Sequence, residues 1–94
     1  MRPILLLREL PPYNDFLVCG ISSQTNKCVK GFDEIIFAID PDFVSSGLNT
    51  DSVIRFGFLA VIPHKRIIGS IGKISINRYK LLLRRLSNYL IQRI

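Results

Sequence analysis

Hydrophobic residues fall into short runs before residue 75 and into a helical stripe after it. Residues 3–9 centre on Ile4, Leu5, Leu6 and Leu7 and read as a buried strand. Pro11-Pro12-Tyr13-Asn14-Asp15 breaks that run with turn-forming residues. Residues 16–21 are apolar again, so the two segments predict an antiparallel hairpin. Residues 22–31 are polar and end in glycine, a loop long enough to carry a site. Residues 33–39 are a third strand candidate, and Asp40-Pro41-Asp42 opens an irregular connection that ends near Asp51.

Ser52–Ile62 is the longest strand candidate, and Gly57 interrupts its alternation as a bulge or tight bend does. Pro63-His64-Lys65 makes the next turn. Residues 66–74 then predict a further strand, with Ile67, Ile68, Ile71 and Ile74 separated by Gly69 and Gly72. Short, glycine-kinked strands at this spacing favour a small closed barrel over a flat sheet. The last segment changes period. Ile76, Tyr79, Leu82, Leu83, Leu86, Tyr89 and Leu90 share one face of an α-helix, with Ser75 placed as its N-cap. Arg78, Lys80, Arg84, Arg85 and Arg93 fall mostly on the other faces. The stripe is expected to pack on the barrel while the arginines stay solvated. Without repeats or a linker, residues 1–94 read as one mainly β domain with a C-terminal helix.

Composition adds a charge asymmetry. All seven acids of the 94-residue chain lie in residues 1–51 beside four Lys or Arg, which gives −3. Residues 52–94 carry nine Lys or Arg and no acid, and the two halves sum to the formal +6. Such a half points to a polyanion or an acidic partner. A hydrophobic content of 48% and a mean hydropathy of +0.29 exclude a disordered tail. The apolar stretch 52–63 is interrupted by Arg55 and falls short of the ~18 residues that would span a membrane. The opening apolar run is too short for a secretory leader. Cys19 and Cys28 match no zinc spacing and make no disulfide framework, so they read as reduced thiols in a cytoplasm.

Most catalytic signatures are missing. The sequence holds no phosphate-cradling glycine loop, no HExxH and no metal-ligand cluster. His64 is its one histidine, which leaves a His-pair ribonuclease or a His-dependent triad without parts. It reads as a surface turn residue.

The informative pieces are Arg2-Pro3 ahead of Ile4-Leu5-Leu6-Leu7, and Leu17-Val18-Cys19-Gly20-Ile21-Ser22-Ser23-Gln24. In these the chain resembles the MazF/PemK-type toxins of bacterial toxin–antitoxin systems. There an Arg-Pro pair opens a strand and the following strand ends in a Ser/Thr-Ser/Thr-Gln-like motif. Gly47-Leu48, Ser52-Val53-Ile54, Ile71-Gly72-Lys73-Ile74 and the closing helix extend the likeness over nearly the whole chain.

The resemblance implies an SH3-like β-barrel, usually a homodimer, with a metal-independent endoribonuclease activity on single-stranded RNA and no cofactor. Its partners would be single-stranded RNA and a cognate acidic antitoxin. Arg2 takes the place of the catalytic arginine and Ser22 that of the catalytic hydroxyl, with Ser23, Gln24 and Lys27 expected to bind substrate. In the family a Gly-Asp-containing strand and a substrate-covering loop precede the Arg-Pro pair. Here Met1 stands directly before Arg2, which implies a barrel without its first strand, from a late-assigned start or a shortened relative. A shortened barrel that binds antitoxin or nucleic acid without cutting it is the alternative, and an unrelated SH3-like interaction domain is a third.

Overall fold

The computed structural model describes residues 2–92. The predicted hairpin forms from strands β1 (Ile4–Leu10) and β2 (Asp15–Ser22). Its turn holds a cis Pro11–Pro12 bond and Asn14 at φ 60°, a left-handed position that asparagine tolerates. β3 (Glu34–Ile36) and β4 (Ser52–Ile62) complete one antiparallel sheet in the order β1-β2-β4-β3.

The register explains the curl. Cys19 lies opposite Leu59, but the next residue, Gly20, lies opposite Arg55. Phe56, Gly57 and Phe58 therefore bulge out of the β2–β4 ladder, where the glycine interrupts the apolar alternation. A second irregularity falls between Leu6 and Arg8 in β1. Together they bend the four strands into a half-barrel.

Helix α2 (Ile76–Leu90) covers the inner side. The Ser75 hydroxyl caps it as expected, accepting the Arg78 N–H at 3.1 Å. Leu82 and Leu86 are buried against Leu7, Cys19, Ile21, Ile54 and Phe56. Tyr79 adds a tie by donating its hydroxyl to the Leu7 carbonyl. Only the centre of the apolar stripe is sealed, since Ile76, Tyr89 and Leu90 remain more than half exposed.

Three expectations need correction. First, residues 66–74 do not form a strand. After a 3-10 turn at His64–Arg66 the chain leaves the sheet, and Lys73 N–H donates to the Ser45 carbonyl at 2.7 Å. The Ser45 hydroxyl returns a bond to the Lys73 carbonyl at 3.0 Å. Gly72 lies against the backbone of Ser45 and Ser46 so closely that a β-carbon would collide. Gly47, at φ +75°, is pressed in the same way by Ile71. These glycines serve a backbone-to-backbone approach and not a strand kink, so the sheet stays a half-barrel and does not close.

Second, β3 spans only Glu34–Ile36, because Asp40 turns the chain by accepting the Phe37 N–H at 2.8 Å. The connection then holds a short helix, α1 (Phe43–Ser46). Third, Arg78 and Arg85 are not merely solvated. Arg78 donates to Glu34, Asp40 and Asp42 at 2.9–3.1 Å with its side chain only 12% exposed. Arg85 donates to Glu34 at 3.2 Å and to the Asp33 carbonyl at 3.0 Å. Arg93 lies outside the described residues.

Candidate functional site

The segments of Arg2 and Ser22 meet through β-sheet register. Ile4 pairs with Gly20, and the Ile21 N–H donates to the Pro3 carbonyl at 3.3 Å, so the ladder continues one step past β1. Arg2 precedes Pro3 by one residue and Ser22 follows Ile21 by one, so this bond brings the two chain segments that carry them together. Pro3 accepts through its carbonyl and has no N–H to return to Ile21, which fits its place just outside the start of β1.

Ser22 is half-buried, and its hydroxyl oxygen accepts the Gln24 N–H at 3.1 Å. That bond orients the hydroxyl and leaves its proton free to donate elsewhere. Ser23 and Gln24 are exposed in the loop that leaves β2. Lys27 is exposed at the end of the 3-10 turn Thr25–Lys27, which lies beside β4. Arg2 is exposed and makes no hydrogen bond or ion pair among the described residues. Arg2, Ser22 and the loop of Ser23, Gln24 and Lys27 thus gather at one end of the half-barrel.

Other sequence candidates take no part in this cluster. His64 is exposed in its 3-10 turn. Cys19 and Cys28 are free thiols, and burial, reinforced by the Asp33 charge, pushes Cys19 up to about 12. No cluster of three or more His, Cys, Asp or Glu that could hold a metal occurs among the described residues. Among those residues, too, no helix is long and apolar enough to cross a membrane. A shallow groove lined by Lys30, Phe32, Arg84, Arg85 and Tyr89 includes none of the predicted site residues.

Two arginines carry more than their sequence positions suggested. Arg78 anchors α2 to the β3–α1 connection through three carboxylates. Its hydrogen bonds hold the Asp42 carboxyl below the ordinary carboxylate range, against the opposing effect of burial and with help from the Ser75 N–H. Arg55 lies on β4 opposite Gly20, on the face shared by Ser22. The available sequence signal was its position as the one charge in an eleven-residue apolar strand.

No protein-family model matches the chain, and no curated protein matches it.

Proposed function

We propose that this protein is a metal-independent endoribonuclease of the MazF/PemK toxin type, with an SH3-like barrel, acting on single-stranded RNA. The observation that supports this reading is the Ile21 N–H to Pro3 carbonyl bond, which joins the segment that begins with the exposed Arg2 to the one that ends with the oriented hydroxyl of Ser22. The ribose 2′-oxygen attacks the adjacent phosphorus, the P–O5′ bond breaks, and a proton passes in net from the 2′-hydroxyl to the 5′-oxygen. Negative charge grows on the non-bridging oxygens as the bond forms. A guanidinium offers those oxygens a rigid fork of donors and keeps its charge at any working pH. The Ser22 hydroxyl adds a directional donor from the opposite strand. Ser23, Gln24 and Lys27, exposed in the loop that leaves β2, would contact the flanking nucleotides, and charge attraction from residues 52–94 would assist capture. An acidic antitoxin segment would occupy the same basic surface.

A second reading is a module that binds antitoxin or nucleic acid without cutting. The open edge of β1 favours it, since that strand is paired on one side only and the half-barrel leaves its outer residues exposed. One experiment separates the two. Purified protein is incubated with single-stranded RNA in excess EDTA, and the product ends are analysed. The nuclease reading expects a 2′,3′-cyclic phosphate facing a 5′-hydroxyl. Cutting that requires added metal, or binding with no cutting, counts against it.

A further inference from the structure

Phe32 and Tyr89 carry the aromatic packing of the core out to the surface. The Phe32 ring centre lies 5.8 Å from that of buried Phe56 and 4.6 Å from that of Tyr89, tilted 47° to the latter. Tyr89, in the last turn of α2, is still 54% exposed. A surface ring braced from below in this way has little side-chain freedom left to lose when something packs on it.

The ring borders a groove of about 490 Å³ between the Lys30–Phe32 loop and α2. Residues four apart on the helix line it in two rows, Leu81, Arg85 and Tyr89 in one and Arg84 and Asn88 in the other. Gln92 continues the second row just past the helix end. No acid is among the lining residues. Arg85 is already held by Glu34 and the Asp33 carbonyl, and Glu34 serves Arg78 as well. Lys30 and Arg84 are exposed and form no ion pair among the described residues. One concavity therefore combines an exposed aromatic ring, two unmatched cations and two side-chain amides.

A nucleotide presents the complement of each: a flat base for the ring, a base edge for the amides and a phosphate for the cations. The helix also sets the direction. Unpaired carbonyls make the C-terminal end of α2 weakly negative, which disfavours an anion beside Tyr89 and leaves Arg84, more than a turn earlier, as the phosphate end. We propose that this groove binds one nucleotide of single-stranded RNA, its base stacked on Tyr89 and its phosphate held by Lys30 and Arg84. The identity of the strand rests on the ribonuclease reading, while the site itself rests on the groove. Neither Arg2 nor Ser22 lines it, so it holds the strand away from the scissile phosphate. Such a contact is made in the ground state and in the transition state alike, and its loss falls on affinity and KM more than on kcat.

The test compares wild type with Tyr89→Ala, Tyr89→Phe and Arg84→Gln. The binding probe is a short mixed-sequence RNA made uncleavable by deoxyribose substitution, titrated over a range of salt concentrations. A cleavable copy of the same RNA gives KM and kcat. Tyr89→Ala is expected to weaken binding on the order of tenfold, the scale of one lost base stack, and to leave the salt slope at its wild-type value. Tyr89→Phe keeps the ring and is expected to bind as wild type does. Arg84→Gln is expected to lower the slope by ~0.7, the value for one phosphate contact on a single strand. Arg84 is exposed, so this variant also serves if Tyr89→Ala does not fold. Wild-type cleavage with Tyr89→Ala and Arg84→Gln equal to it in affinity, slope and KM overturns the site and leaves the nuclease reading intact. RNA binding that depends on Tyr89 and Arg84, without cleavage, supports the site and removes the nuclease reading. Absence of RNA binding by wild type overturns the site. So does Tyr89-dependent binding of a poly-glutamate peptide in its place, or a Tyr89-dependent dimer that RNA does not displace.

Discussion

Arg2 and Ser22 acquire their meaning from one another, since neither is unusual alone. An exposed terminal arginine and a serine ending a strand are ordinary. The Ile4–Gly20 pairing and the Pro3–Ile21 hydrogen bond bring the segments that carry them side by side. If they stabilise charge that appears only in the transition state, Arg2→Ala lowers kcat by ~10²–10³ with a much smaller effect on binding of uncleavable RNA. Ser22→Ala lowers the rate in the same direction, and single-turnover cleavage measures both. Loss of activity with His64→Ala but not with Arg2→Ala would remove the mechanism. Cys19 makes a separate residue-scale test of the core. With its thiol pushed up to about 12 and fully buried, it is expected to resist alkylation at neutral pH in the folded protein. Cys28, half-buried in the loop, is the thiol expected to react first when labelling is followed by mass spectrometry. Equal labelling of both in the folded state would contradict the packing around Cys19.

Elements were legible where local pattern and tertiary partner agreed. The hairpin, the bounds of β4 and the Ser75 cap follow from alternation, turn residues and helical period, and those local rules are also what the packing uses. Residues 66–74 misled because isoleucines between glycines suit a strand, whereas here Gly47 and Gly72 exist to let two backbones touch. Arg78 misled because a helix wheel shows where a side chain points and not which acids a distant loop brings to it. Asp40 and Asp42 are more than thirty residues away in sequence. Arg2 and Ser22 stand out in the sequence by motif order alone, whereas the place of Arg55 opposite Gly20 follows only from the β2–β4 register. Three substitutions on α2 follow. Leu86→Ala costs about 2–5 kcal/mol by removing buried volume, and Arg84→Ala costs little because that side chain is exposed. Arg78→Ala, unlike its exposed neighbour, leaves Asp42 buried without its cation and costs about 3 kcal/mol. Thermal or urea unfolding ranks the three, and an Arg78→Ala as mild as Arg84→Ala would contradict the carboxylate anchor. The same anchor sets an acid limit. Asp42 has a lower pKa folded than unfolded, so its contribution is complete above the ordinary carboxylate value of ~3.9 and is lost as pH falls through the lower folded value. Asp42→Asn is expected to be less stable at pH 7 and to show a shallower decline below about pH 4.

At the scale of the whole molecule, the charge asymmetry of the sequence is partly cancelled by the fold. Arg78 and Arg85, two of the nine cations after residue 51, are tied to Glu34, Asp40 and Asp42. Asp33 is buried with both oxygens engaged by backbone N–H groups. The acidic half thus donates much of its charge to holding α2 against the sheet. Cations without an acid partner among the described residues remain on several elements, including Arg2, Lys27, Arg55, Lys65, Lys73, Lys80 and Arg84. This division makes the salt dependence of RNA binding informative. Each phosphate contact on a single strand contributes ~0.7 to the slope of log affinity against log salt, so the measured slope counts contacts. Arg84→Ala and Arg78→Ala should then separate cleanly. Removing Arg84 lowers the slope if the strand reaches the helix and leaves stability nearly unchanged. Removing Arg78 lowers stability and leaves the slope of the folded fraction at its wild-type value, because that guanidinium is already matched by carboxylates. A flat wild-type salt dependence would end the electrostatic account of RNA capture. A slope that falls with Arg78→Ala at temperatures well below unfolding would show that the anchor is open to the strand.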